Sequence, residues 1–194
     1  MSLSIKDIYA RNGRVRNKAL IELINSVPQY QFCNMIPHPM LVSRKLYDGQ
    51  MQQVGDSTNT MIFNVQAIRD QIAKNENLED TISQLNDENF NSAIFALTKS
   101  RDSNTSPNVF TVGRVIPNDI VIPDFTISKL QASIRLIEEN YFCTDLNSTN
   151  GTLVAGKLLQ ANEPQVLKSC DFITFGRLGF VFMPPEKLYE LLRK

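Results

Sequence analysis

The pattern of apolar and polar positions changes near residue 90. Before it, the chain is rich in Asn and Gln and its apolar residues recur at helical spacing. After it, short apolar runs alternate with turn signals, which is typical of an all-β region. We therefore expect a helical or irregular N-terminal extension over residues 1–90 and a β domain over residues 91–194.

The extension carries one clear helical signal and several weaker ones. A helix is predicted from about residue 15 to residue 26, where Pro28 stops it, and its apolar stripe consists of Leu20, Leu23, Ile24 and Val27. Such a stripe has to be covered, and the β domain is the simplest surface to cover it. Weaker patterns suggest a short helix from Ser4 to the Asn12-Gly13 turn, and marginal helices or a linker over residues 65–85.

Residues 36–60 give no consistent period, because Pro37 and Pro39 interrupt them, although Met40-Leu41-Val42 has the character of a short strand. Strands are predicted over residues 93–97, 109–112, 120–122, 132–137, 141–144, 152–154, 157–159, 166–167, 172–175 and 180–183. Pro184-Pro185 then opens a short C-terminal helix. The fold class is mainly β, and many short strands separated by regular turns favour a sandwich.

Composition and charge exclude several functional classes. Twenty basic and twenty acidic side chains cancel, so we expect neither nucleic-acid nor membrane-surface binding, which usually needs a basic excess. No run of about 18 apolar residues is present, and the N-terminus lacks a secretion-signal core. The three cysteines, Cys33, Cys143 and Cys170, form neither a metal-ligand spacing nor a disulfide framework, which fits a reducing cytoplasm.

Three motifs stand out from the β pattern. Gly113-Arg114 is followed by the segment 127–132, which reads Ile-Ser-Lys-Leu-Gln-Ala. Residues 145–152 read Asp-Leu-Asn-Ser-Thr-Asn-Gly-Thr, and residues 171–176 read Asp-Phe-Ile-Thr-Phe-Gly. Each motif alone is weak, but the ordered set closely resembles the forkhead-associated (FHA) domain family over roughly residues 91–183.

The resemblance implies an FHA-type two-sheet β-sandwich whose loops at one end bind phosphothreonine. A phosphate carries close to two negative charges and three acceptor oxygens, so its binder needs a fixed cation and several neutral donors. Carried over residue by residue, the resemblance assigns phosphothreonine-peptide binding to Arg114, Ser128, Lys129, Thr149 and Asn150. Arg114 offers a planar fork of donors, Ser128 and Thr149 offer hydroxyls, and Lys129 offers a second, more mobile charge.

Structural support of these loops falls to Gly113, Gln131 and Gly151. Gly151 permits the tight turn that aims the neighbouring Thr149 and Asn150. Gln131 departs from the family pattern, which usually has His three residues after the motif serine. Gln also donates and accepts, so it is expected to replace part of that bracing, while the phosphate ligands themselves match the pattern.

These observations predict a phosphothreonine-dependent adaptor that acts downstream of a Ser/Thr kinase, with a threonine-phosphorylated protein as its partner. The alternative is a structural scaffold that associates without phosphate, through the N-terminal helices or a sandwich face. Arg114 also has an alternative interpretation, as a surface arginine paired with Asp119 or Asp124. We expect no enzyme activity, cofactor or metal, because the sequence shows no nucleophile elbow, P-loop or metal-ligand pair, and its single histidine, His38, lies between prolines.

Overall fold

The computed structural model describes residues 8–43, except Arg11, and residues 93–193. The predicted helices beginning at Ser4 and spanning residues 65–85 lie, in whole or in part, outside the described residues. The described helices and strands are α1 Asn17–Ser26, α2 Gln29–Met35, β1 Met40–Ser43, β2 Ile94–Ala96, β3 Val109–Gly113, β4 Ile120–Val121, β5 Ala132–Ile137, β6 Asn140–Asp145, β7 Thr152–Val154, β8 Lys157–Leu158, β9 Pro164–Leu167, β10 Phe172–Phe175, β11 Leu178–Met183 and α3 Pro185–Leu192.

The described strands form two sheets, which confirms the mainly β class. One sheet has six strands in the order β2-β1-β11-β10-β7-β8, and the other has five in the order β4-β3-β5-β6-β9. The pair β3 and β4 is parallel, whereas β3, β5, β6 and β9 are successively antiparallel. The predicted strand positions agree closely with these elements.

The core between the sheets is built by alternation along the strands. In β1, Leu41 joins the core cluster that also contains Phe110 and Ile134 of the five-stranded sheet. Its neighbours Met40 and Val42 belong instead to a second buried cluster on the outer face of the six-stranded sheet. Successive side chains of a strand point to opposite faces, so all four residues of β1 are buried because both of its faces are covered.

Helices cover the outer face of the six-stranded sheet. Leu20, Leu23 and Ile24 of α1 are buried in the cluster that contains Val42 and Val181, which confirms that this apolar stripe packs on the β domain. The C-terminal helix α3 buries Leu188, Tyr189 and Leu192 in the same cluster. Among the described residues, no helix has the length and apolar character needed to cross a membrane.

Helix α2 was not predicted, because Pro28 indicates only where α1 stops. In the structure Pro28 lies just before α2, and Phe32 is the buried residue of this seven-residue helix. The division of the chain at residue 90 stays a prediction. Residues on both sides of it contribute to the six-stranded sheet, since β1 pairs with β2 on one side and with β11 on the other.

A short segment before α1 closes one edge of the sandwich. The Val15 N–H donates to the Ile94 carbonyl at 2.7 Å, and the Ala96 N–H donates to the Gly13 carbonyl at 2.9 Å. The Val121 N–H donates to the Asn12 carbonyl at 3.1 Å. Residues 12–15 therefore bond to an edge strand of each sheet, and they satisfy backbone groups that an open edge would expose.

His38 joins the segment between α2 and β1 to the five-stranded sheet. Its Nδ1 lies 2.8 Å from the Tyr141 hydroxyl oxygen, and its ring packs edge-on against Phe110. Burial lowers the pKa of His38 and raises the pKa of Tyr141 to about 12, with the charge of Glu186 adding to the latter shift. The structure places this histidine in a packed aromatic contact rather than in an isolated loop.

The pKa of His38 predicts a loss of stability as the pH falls. The neutral imidazole is favoured in the fold, so its contribution is complete above the unfolded value of 6.5 and is lost as the pH falls below it. We expect NMR titration of this single histidine to give a pKa below 6.5 and the free energy of unfolding to fall in that range. His38→Gln should remove that part of the pH dependence. A folded-state pKa at or above 6.5 would contradict the prediction.

Candidate functional site

The motif residues lie on loops at one end of the five-stranded sheet. Val112 near the end of β3 pairs with Ala132 at the start of β5, which in turn pairs with Asp145 at the end of β6. Because these neighbouring strands are antiparallel, the loop after β3, the loop before β5 and the loop after β6 meet at the same end of the sheet. These are called the first, second and third loops below. The sheet therefore brings together segments that are far apart in the sequence.

Arg114 is buried directly after β3. Its backbone N–H donates to the Ser128 carbonyl at 3.1 Å, which ties the first loop to the second. A Cβ at the preceding Gly113 would lie 2.2 Å from the Lys129 carbonyl oxygen, so only glycine allows this approach. Gly113 thus permits the close approach of the Lys129 carbonyl, and its role in supporting the loops stays a prediction.

The Asn118 side chain also links the first and second loops. Its Nδ2 donates to the Val115 carbonyl at 2.6 Å and to the Lys129 carbonyl at 2.7 Å. Sequence reasoning assigned this residue no role. The amide satisfies two carbonyl groups that the turning backbone leaves outside the sheet ladder.

Ser128 and Thr149 are in direct contact across two loops. The Thr149 N–H donates to the Ser128 hydroxyl oxygen at 2.9 Å, and the Ser128 hydroxyl donates to Thr149 Oγ1 at 3.3 Å. Ser128 is buried, whereas Thr149 and Lys129 are exposed. The structure therefore places two hydroxyls side by side, with an exposed ammonium group on the residue that follows Ser128.

Gln131 is fully buried and bridges the second and third loops. Its Oε1 accepts from the Ser128 N–H at 3.0 Å. Its Nε2 lies 2.8 Å from both Ser148 Oγ and the Gly151 carbonyl, and 3.1 Å from Thr152 Oγ1. Gln131 thus supplies an acceptor to the second loop and donors to the third. It does so at the position where the family pattern described in the sequence analysis usually has histidine.

Asp145 organises the third loop. Its Oδ1 accepts from the Ser148 N–H at 3.0 Å, and its Oδ2 accepts from the Ser148 and Thr152 hydroxyls, each at 2.6 Å. Gly151 has a φ of +77°, the left-handed conformation that glycine adopts without strain. Sequence reasoning quoted Asp145 but gave it no role. The signal was the spacing from Asp145 to Ser148, which is typical of a side chain that caps its own turn.

Asn150 is buried and is held from the opposite side. Its Nδ2 donates to the Thr126 carbonyl at 2.8 Å. The Thr126 hydroxyl donates to Asp124 Oδ1 at 2.5 Å, and Arg177 donates to Asp124 Oδ2 from Nε and Nη2 at 3.1 and 2.8 Å. A path of hydrogen bonds therefore runs from the turn after β10 to the side chain of Asn150, and the sequence motifs did not reveal it.

The two carboxylates considered as partners for Arg114 bind other cations. Lys99 Nζ lies 2.9 Å from Asp119 Oδ2, and Arg177 pairs with Asp124. Burial alone would raise the pKa of Asp119, but backbone hydrogen bonds from Thr111 and Ser100 and the Lys99 ammonium together hold it below its usual value. Asp119 therefore stays ionised as a structural acceptor beneath the first loop.

An open cleft of about 350 Å³ borders the third loop. Among the predicted site residues it is lined by Thr149, Asn150 and Gly151. Its other walls come from Asp145, Asn147, Ser148, Leu158, Leu159 and Ala161. The third loop thus contributes three of the predicted site residues to the lining of this cleft.

Comparison with known proteins finds a family model that matches part of the sandwich. Residues 110–176 match the FHA domain, a span that begins in β3, ends just after β10 and contains every predicted site residue. Two curated relatives, from Corynebacterium efficiens and Corynebacterium glutamicum, are each described as an oxoglutarate dehydrogenase inhibitor. They are 34% and 33% identical over 73 residues, which is 38% of this chain and 49% of each relative. The match thus spans about half the length of these relatives.

Solved structures with FHA domains also align. The N-terminal FHA domain of S. cerevisiae Rad53p, in complex with a phosphothreonine peptide, is 26% identical, with a TM-score of 0.41 over 50% of this chain and 88% of that one. Mycobacterium tuberculosis EmbR, in complex with a low-affinity phosphopeptide, is 28% identical, with a TM-score of 0.38 over 41% of this chain and 21% of that one.

Removal of the Gln131 amide should destabilise the loops. Gln131→Leu keeps the volume similar but leaves the buried Ser128 N–H without its acceptor, at a cost of about 1–3 kcal/mol for each buried group left unpaired. Chemical denaturation measures the change, with Gln160→Leu at an exposed position as the matched control. Equal stability of Gln131→Leu and the control would contradict the bridging role.

Asp124→Ala should also lower stability, because the buried Thr126 N–H and hydroxyl both lose their acceptor. We expect a loss of about 1–3 kcal/mol in the free energy of unfolding. Glu190→Ala breaks the exposed ion pair with Lys187 instead and should cost less than about 1 kcal/mol. Chemical denaturation of the two variants side by side measures the difference. Similar losses in the free energy of unfolding would contradict a structural role of Asp124.

Proposed function

We propose, from the premise that residues 110–176 belong to the FHA domain family, that this chain is a phosphothreonine-dependent protein-binding module. It would act as a signalling adaptor downstream of a Ser/Thr kinase and have no catalytic activity of its own. The observation that carries the proposal is the convergence of Arg114, Ser128, Thr149 and Asn150 at one end of the sandwich. Recognition of phosphorylated motifs is the binding mode of this class of domain.

The phosphate would be bound by one strong cation and two hydroxyls. Arg114 presents a guanidinium fork that matches two phosphate oxygens and stays charged at any physiological pH. The Ser128 and Thr149 hydroxyls, now 3.3 Å apart, can turn their protons towards a phosphate oxygen between them. Lys129, being exposed, adds a mobile charge at the rim. Supporting this assignment, Gln131 and Asn118 hold both hydroxyl-bearing loops against Arg114.

Asn150 is assigned to the backbone of the bound peptide. Its amide can donate and accept, which suits a peptide group better than a phosphate. The hydrogen bond to the Thr126 carbonyl sets the orientation of this side chain before a peptide arrives. A binding group that is already ordered loses less conformational entropy on association.

The partner would be a threonine-phosphorylated protein or peptide, and the setting a reducing cytoplasm, as the cysteine spacing suggested. The curated relatives are described as inhibitors of an enzyme, and regulation of a partner through binding fits a non-catalytic module. The scaffold alternative predicts association that ignores phosphate. It differs from the leading proposal in two measurable respects, namely the phosphate dependence of binding and the effect of removing the Arg114 guanidinium.

The binding test is a titration of the full chain with a degenerate phosphothreonine peptide library. We expect saturable binding that disappears with unphosphorylated peptides and weakens with phosphoserine. Arg114→Ala should weaken binding at least about tenfold, because each charge-assisted hydrogen bond contributes roughly 1.5–3 kcal/mol. Arg114→Lys keeps the positive charge without the guanidinium fork, so its affinity should lie between those of the unchanged protein and Arg114→Ala.

The matched control is Arg135→Ala, which removes an exposed arginine from the middle of β5. This variant should bind like the unchanged protein. Binding that ignores phosphate, or equal losses in Arg114→Ala and Arg135→Ala, would support the scaffold alternative. Unfolding curves of every variant separate a loss of binding from a loss of fold.

A further inference from the structure

Three large apolar side chains are exposed beside the candidate phosphate site. Val115 is 38% exposed, Ile116 is 68% exposed and Leu130 is 47% exposed. Val115 and Ile116 directly follow Arg114, and Leu130 directly follows Lys129. On each of the two stretches of backbone, a cationic residue is therefore followed directly by exposed apolar residues.

The two stretches are held side by side by hydrogen bonds. The Arg114 N–H donates to the Ser128 carbonyl at 3.1 Å. One amide nitrogen of Asn118 then reaches the carbonyls of both Val115 and Lys129, at 2.6 and 2.7 Å. The two carbonyl oxygens are thus at most about 5.3 Å apart, so the peptide groups that lead into Ile116 and Leu130 lie close together.

Single exposed apolar residues are common on protein surfaces and need no explanation. Other exposed large apolar residues of the described chain, Tyr30, Ile137 and Leu158, lie on separate elements, α2, β5 and β8. By contrast, Val115, Ile116 and Leu130 gather on two bonded loops beside a fixed cation. A grouped apolar patch of this kind is a sign of a binding surface.

We propose that Val115, Ile116 and Leu130 form an apolar subsite that selects phosphothreonine segments with a large aliphatic side chain close to the phosphothreonine. This proposal rests on the proposed function. An extended peptide advances about 3.3 Å per residue, so a side chain within two positions of the phosphothreonine reaches the patch when the phosphate is at Arg114. The patch is continuous with the cationic site, so one ligand that is both anionic and apolar fits it.

The size of the patch also argues for a peptide. A stable dimer interface buries about 800 Å² on each partner, with some 20–30 residues on each side. Three side chains on two loops supply much less than that, whereas they suffice to cover one leucine or isoleucine side chain. A short phosphorylated segment is therefore the favoured occupant over a second copy of this chain.

The experiment compares phosphothreonine peptides that carry Leu, Ser or Asp at each position from −3 to +3, with all other positions fixed. Binding of the full chain is measured by fluorescence anisotropy. We expect one position within two residues of the phosphothreonine to favour Leu over Ser about tenfold, the gain that covering about half of a leucine gives. The double variant Ile116→Ser/Leu130→Ser should lose this preference and keep its affinity for the all-Ser phosphopeptide.

Ile137→Ser is the matched control, because Ile137 is as exposed as Leu130, at 47%, and lies at the opposite end of β5 from the site. It should keep the full preference. The proposal is overturned if phosphothreonine peptides bind without any aliphatic preference, or if the preference survives in the double variant. Self-association that depends on concentration and disappears in the double variant, without a peptide preference, would assign the patch to a second copy instead.

Failure of the underlying function gives a different result. In that case no peptide in the series, including the all-Ser phosphopeptide, binds in a phosphate-dependent way. Phosphate-dependent binding that is lost with Arg114→Ala but shows no preference among flanking residues overturns the subsite alone.

Discussion

The buried carboxamide of Gln131 is the interaction on which the geometry of the site depends. It accepts a hydrogen bond from the second loop and reaches three oxygens of the third, so it holds together the two loops on which Ser128 and Thr149 are in direct contact. A buried amide is stable only when both its oxygen and its nitrogen are hydrogen-bonded. Here the oxygen is paired by the second loop and the nitrogen by the third. Any displacement of either loop would cost a buried hydrogen bond.

A second set of constraints acts from the opposite side of the third loop. Asp124 accepts hydrogen bonds from the Arg177 guanidinium and the Thr126 hydroxyl, and the Thr126 carbonyl accepts one from the Asn150 amide. A Cβ at Gly176 would lie 2.5 Å from the Thr126 carbonyl oxygen, so the turn after β10 has to be glycine to come this close. Asn150 is thus oriented by residues outside the predicted binding set, as a preorganised site requires.

The sequence was sufficient to predict most strands, because their apolar residues alternate and their turns are marked by Gly, Asn or Pro. It was also sufficient to name the candidate ligands, through the resemblance of residues 113–114, 127–132 and 145–152 to a known family. It did not predict the partners of Gln131, Asp124 or Asn118. Several of those hydrogen bonds join residues that are far apart in the sequence, such as Gln131 with Gly151 and Asp124 with Arg177, and such contacts leave no local pattern. Helix α2 was missed because only Phe32 of its seven residues is buried, which is too weak a period to detect.

The position of β1 has a consequence for how this domain can be delimited. Met40–Ser43 lies between β2 and β11, and the residues that match the family model begin only at 110. A fragment cut to that match would lack β1, β2 and β11, half of the six-stranded sheet. Phe175 and Ile173 on the remaining β10 would then lose Phe180, Phe182 and Leu41 from the cluster that now encloses them. The unit of folding in this chain is therefore larger than the unit of family resemblance, and it includes residues 12–43, which supply β1 and much of the second buried cluster.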